Sequence, residues 1–200
     1  EAGAEYVMTA HRLDLSGAGA ADTRFVHPNG NRYDRILLRN AAATVTAAPG
    51  IITRVSFIDL ADTLVHVEFS GAGAMAIRLD DASGPAPPRH YDQPTVAYMR
   101  GHASVAISGA DETTNLSVLS VRSLKAARPA PLEGGRMHAG QAHIAGISIA
   151  SRNGKFGGVR TANVSYSATK GMTGIHAPGI HFTGPVFVGD LEVSPFDLPA

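Results

Sequence analysis

The feature that most constrains this chain is a two-residue rhythm in short segments, each closed by turn-forming residues. In TLVHVEFSG (63–71), Val65, Val67 and Phe69 alternate with His66 and Glu68. In ASVAISG (103–109), Val105 and Ile107 face one way and Ser104 and Ala106 the other. Side chains on a strand point alternately to its two faces, so this period suits half-buried strands. ATVTA, IITRVSFIDL, MAIRLD, NLSVLSV and PVFVGDLEV are similarly short and rich in β-branched residues. HPNGN, APG, DASGPAPP and RNGKFGG separate them, and Asn29-Gly30 and Asn153-Gly154 suit the positive φ of hairpin turns. No segment of helical length keeps a 3.6-residue period. The best helical stretch, SLKAARPAP, is stopped by Pro129. The expectation is an all-β protein.

Composition divides the chain. Residues 124–136 collect Lys125, Arg128, Pro129, Pro131, Glu133, Gly134 and Gly135 with few large apolar residues, and read as a linker. Upstream, residues 1–123 carry strands at the spacing of an antiparallel β-sandwich, jelly-roll-like in type. Downstream, residues 137–200 have shorter strands and more Gly, Ser, Thr and Asn, as in the tight corners of parallel β-helix coils. HAGQAHIAGISIA (138–150) and HAPGIHFTGPVFV (176–188) align His138 with His176, His143 with His181 and Gly146 with Gly184. A 38-residue offset would be two coils of about 19 residues each. A second echo, LSGAGA (15–20), FSGAGA (69–74) and ISGAD (107–111), reads as a strand ending in a small-residue turn.

Charge and cysteine content remove whole classes of function. Lys plus Arg and Asp plus Glu are 17 each, with no long basic run, so neither nucleic acid nor an anionic membrane is an expected partner. Cysteine is absent, which excludes disulfides, thiolate metal sites and a Cys nucleophile. No run of 18 apolar residues exists, so no transmembrane helix is expected.

The candidate chemistry is sparse. The histidine pairs are five residues apart, which on a strand sends them to opposite faces, so no metal site is assigned. Asp59, Asp62, Asp80 and Asp81 suit turns better than a calcium loop, there being no D-x-D-x-D-G pattern. GAGAMA (71–76) matches a dinucleotide fingerprint, but an alternating stretch follows where a helix is needed. No cofactor is expected. Neither a G-x-S-x-G elbow nor H-E-x-x-H occurs. Asn115-Leu-Ser117 and Asn163-Val-Ser165 match glycan-acceptor sequons. The one binding constellation is in PPRHYDQPTVAYMRGH (87–102). There Tyr91 and Tyr98, with Arg89 and His90, offer apolar ring faces and polar tips to a sugar.

The run GKFGGVRTANVSYSATKGMTGIHAPGIHFTGPVFVGD (154–190) resembles the coils of large exported bacterial β-helix proteins, of the adhesin and autotransporter-passenger type. The resemblance implies a secreted or cell-surface location and a structural or adhesive role, with the chain a part of something longer. It transfers no functional residues. Open β-helix ends leave strand edges that must be capped or paired. The expected function is therefore a non-enzymatic structural or surface protein that self-associates through β-edges into a homo-oligomer or larger assembly. A carbohydrate-binding module, with a polysaccharide as partner, and a fragment of a polysaccharide-acting enzyme stand as alternatives.

Overall fold

The computed structural model describes residues 22–27, 29–38, 40–60, 63–86, 98–121, 142–161, 164–166 and 174–188. Fifteen strands occupy them: β1 (Asp22–Val26), β2 (Arg32–Leu37), β3 (Ala42–Thr46), β4 (Ile51–Ile58), β5 (Leu64–Ser70), β6 (Ala74–Ala86), β7 (Tyr98–Ala110), β8 (Asn115–Val121), β9 (Ala142–Ser151), β10 (Lys155–Phe156), β11 (Gly158–Thr161), β12 (Val164–Tyr166), β13 (Gly174–His176), β14 (His181–Phe182) and β15 (Val186–Val188). No helix occurs among the described residues, so none there is long and apolar enough to cross a membrane.

The alternation read from the sequence is the alternation of burial. On β5, Val65, Val67 and Phe69 are fully buried while His66 and Glu68 are only half-buried, and on β3 Ala43 and Val45 are buried between exposed neighbours. The inward faces of β4, β5, β6, β7, β8, β9 and β11 meet in one core that includes Val55, Phe57, Phe69, Met75, Ile147 and Val159. Each large side chain withdrawn there from water contributes about 1.5–3 kcal/mol.

Thirteen strands form one mixed sheet, and β10 and β14 form a two-stranded one. The upstream strands are not antiparallel throughout. β1–β2, β4–β5, β3–β6, β6–β7 and β5–β8 run antiparallel, but β2 lies parallel to β4, with Arg35 opposite Arg54. β6 and β7 make a long hairpin whose register shifts near Asp80 and Ser83, and Asp81 there takes φ +53°. An inserted residue bends a strand in this way. Downstream, every pairing is parallel: β9 on β7, β12 and β13 on β9, β11 on β8, β15 on β11, and β14 on β10. The sheet therefore continues across the composition break at 124–136, a segment that itself lies outside the described residues.

Parallel neighbours need a crossover, commonly a helix. Among the described residues no helix lies between them, and short strands and tight corners do. One such corner recurs as a column. Thr114 Oγ1 donates to Ala72 O at 2.9 Å and accepts from Asp111 N at 3.0 Å. Gly157 N donates to Thr114 O at 2.9 Å, and Gly184 N to Gly157 O at 2.6 Å. Neighbouring corners are also tied by side chains, Arg152 to Asp111 by an ion pair and Asn153 Nδ2 to Glu112 Oε2 at 2.6 Å. The column explains the repeated small residues. A Cβ on Gly71, which has φ +99°, would lie 2.1 Å from Thr113 O, and one on Gly157 2.5 Å from Thr114 O. FSGAGA is indeed a strand end and turn, and ISGAD ends β7 with Gly109 at φ +66°, while LSGAGA lies outside the described residues.

The 38-residue His-Ala echo is not the structural repeat. His176 opposes Ser148, 28 residues earlier, and His181 opposes Lys155, 26 residues earlier. His143 opposes Ser165, and Gly146 opposes Gly174 rather than Gly184. Register follows the buried columns, in which Ile175 stacks on Ile147 and Phe182 on Phe156, and not the matching letters.

Candidate functional site

Arg89, His90 and Tyr91 lie outside the described residues, and Tyr98 opens β7 opposite Ala86. His138 lies outside the described residues, and His143, His176 and His181 do not gather. His143 is buried on β9, with its backbone N donating to Asp59 Oδ2 at 2.8 Å, while His176 on β13 and His181 on β14 are exposed. Asp59 is fully buried, and its Oδ1 accepts from Thr63 N at 2.8 Å. It is a clasp between the end of β4 and the start of β9, and its oxygens are taken up by backbone donors. No cluster of three or more His, Asp or Glu placed to hold a metal occurs among the described residues.

The chemistry-bearing residues meet on the outer face of the sheet. Register places Arg35, Arg54, Glu68, Ser117, Arg160 and Phe187 directly opposite one another along β2, β4, β5, β8, β11 and β15. Adjacent strands are about 4.8 Å apart, so the row runs roughly 24 Å. Arg54 donates through Nε and Nη2 to Glu68 Oε1 at 2.8 and 2.5 Å, and its guanidinium sits 4.9 Å from the centre of the Tyr33 ring. Arg35 and Arg160 have no carboxylate partner among the described residues, and the Nε of Arg35 is buried without an acceptor. The row thus holds three guanidinium groups against one carboxylate. Arg35 opposite Arg54 is a like-charge pair, which an anion would relieve.

Beside the row, Ser56 Oγ lies 2.8 Å from Nδ1 of His66. Burial first, then the charges of Arg54 and Arg35, lower the pKa of His66 to about 3. The ring is neutral at physiological pH and can accept the Ser56 hydroxyl proton. A serine beside a neutral imidazole is the start of a nucleophilic site. Ser56, however, is fully buried, so no substrate reaches its oxygen. The pair is a cross-strand hydrogen bond between β4 and β5.

At the far end of the row a shallow groove of about 190 Å³ crosses β8, β11 and β15. Asn115, Ser117, Arg160 and Phe187 give it an amide, a hydroxyl, a guanidinium and an aromatic ring. Phe187 is 57 % exposed. The same end shows the core running out. Leu116 and Val159 are each 1 % exposed, but Val186, stacked next in that column, is 46 % exposed. Ile147 and Phe156 are fully buried, whereas Ile175 and Phe182 above them are only partly so. Among the described residues β13, β14 and β15 each pair on one side only.

Alternation put His66 and Glu68 on the outer face, and this much was readable from the letters. The row was not, because its members are scattered over 153 positions from Arg35 to Phe187 and only strand pairing aligns them. No family model, no curated protein and no solved structure matches the chain.

Proposed function

We propose that this is a non-enzymatic structural protein, secreted or held at a cell surface, whose parallel ladders are short solenoid coils. A second copy docks on the last described coil, 174–188. The observation that carries the reading is the loss of burial along the Leu116–Val159–Val186 column, from 1 % to 46 % exposure, on a strand that pairs on one side only among the described residues. Apolar side chains and unpaired backbone groups occur there together, so the best occupant offers both a strand and matching apolar columns. Another copy of the same coil offers both, and a two-fold axis closes the contact on itself. The resemblance of residues 154–190 to exported bacterial β-helix coils supports the location.

The test is sedimentation equilibrium over a hundredfold range of concentration. The wild type should form a dimer or larger species, and Val186→Lys should shift it to monomer with unchanged circular dichroism. A wild type that stays monomeric throughout, or a Val186→Lys variant that associates equally well, overturns the proposal.

A further inference from the structure

We propose a second interaction surface: the outer face carrying Arg35, Arg54, Ser117, Arg160 and Phe187 binds an acidic, carboxylate-bearing polysaccharide laid across the strands. This goes beyond self-association, because the row lies on the face of the sheet rather than on the strand edge proposed for docking, and does not need a second copy.

The charge argument comes first. Glu68 satisfies Arg54, leaving Arg35 and Arg160 as uncompensated cations among the described residues, at opposite reaches of one row. Arg35 sits about one strand spacing from Arg54. A guanidinium pairs with a carboxylate through two parallel hydrogen bonds, a geometry no ammonium reproduces.

The shape argument decides the partner. The row advances one side chain per strand, in steps near the length of one sugar ring, so an extended glycan crossing the strands meets a new residue at each unit. At the β8–β11–β15 groove it finds the exposed ring of Phe187 beside Arg160, with Asn115 and Ser117 to exchange hydrogen bonds with hydroxyls. An apolar ring face bordered by polar groups is how proteins hold a pyranose. A nucleic acid is a poorer match: the chain has equal numbers of acidic and basic residues, and phosphate chains demand denser cationic footprints.

The experiment is native affinity electrophoresis in gels containing carboxymethylcellulose, with hydroxyethylcellulose as the uncharged counterpart on the same backbone. The protein should be retarded by the first and not by the second, and about 0.5 M salt should remove the retardation, since exposed charges are screened at that strength. Arg160 is exposed, so Arg160→Gln should fold and bind roughly two- to fivefold more weakly, the worth of one exposed ion pair. Arg35→Gln should lose a similar factor, and Arg160→Lys should recover part of the loss. Equal retardation by both polymers, none by either, or full binding by Arg160→Gln overturns the proposal. So does a thymidine oligonucleotide that displaces the protein as well as soluble carboxymethylcellulose does, which would assign the face to phosphate chains. The Val186→Lys monomer should bind undiminished, so failure of this inference and failure of the assembly are read separately.

Discussion

Acid should weaken this protein through His66. His66 is held neutral by burial and by the neighbouring Arg54 and Arg35, with its pKa lowered from 6.5 to about 3. In the unfolded chain it protonates near its ordinary value. Between those two pH values the unfolded state binds a proton that the folded state refuses, so stability falls as pH falls from about 6.5 toward 3 and is unaffected above that window. Each tenfold difference in proton affinity between the two states is worth about 1.4 kcal/mol, so the loss approaches about 2 kcal/mol at pH 5 and has a ceiling near 5 kcal/mol. Domains have only about 5–15 kcal/mol in total, so the loss of about 3.4 kcal/mol at pH 4 is a large fraction of it, and a marked fall in the urea midpoint is the expected outcome. The assay is urea unfolding at pH 7.5, 6 and 5, followed by circular dichroism because the chain has no Trp. His66→Gln removes the titrating group while keeping an acceptor for Ser56. It should cost about 1 kcal/mol at pH 7.5, one imperfectly replaced hydrogen bond, and should unfold with a shallower pH dependence than the wild type. Parallel pH profiles for the two proteins, or an NMR titration that finds His66 protonating near 6.5, would refute the reasoning.

Two further outcomes follow from packing. Gly157→Ala places a methyl 2.5 Å from Thr114 O, where only backbone can yield, and should destabilise by about 1–3 kcal/mol in urea melts, whereas Gly84→Ala, in open space, should cost little. Asp59→Ala leaves the part-buried N–H of Thr63 and the buried N–H of His143 without their acceptor and should cost about 2–5 kcal/mol, with faster amide exchange at the start of β9 as the local readout.

The elements were legible where a strand has one wet face. Val65, Val67 and Phe69 announce β5 and its inward side, since only a two-residue period can hide them together. β9 was harder: Ala142 to Ile147 are all buried, because β9 is enclosed on both faces, and a strand enclosed on both faces loses its alternation. Pairing direction was not legible at all. Nothing in RYDRIL or IITRVSFI says that β2 lies parallel to β4, and the antiparallel expectation for that region fails there. The His-Ala echo misled for the same reason: identical letters at a fixed offset carry no energy unless they share a column.

From its letters alone, the chain specified short extended segments, the inward side of most of them, and the corners where only small residues fit. Those are local matters, governed by dihedral preference, side-chain alternation and the room around a backbone atom. Three-dimensional pairing decided that Arg35, Arg54, Glu68, Ser117, Arg160 and Phe187 share one row and that Val186 ends an apolar column unfinished. Strand register is chosen by the burial of the whole core at once, and no stretch of sequence holds that sum by itself.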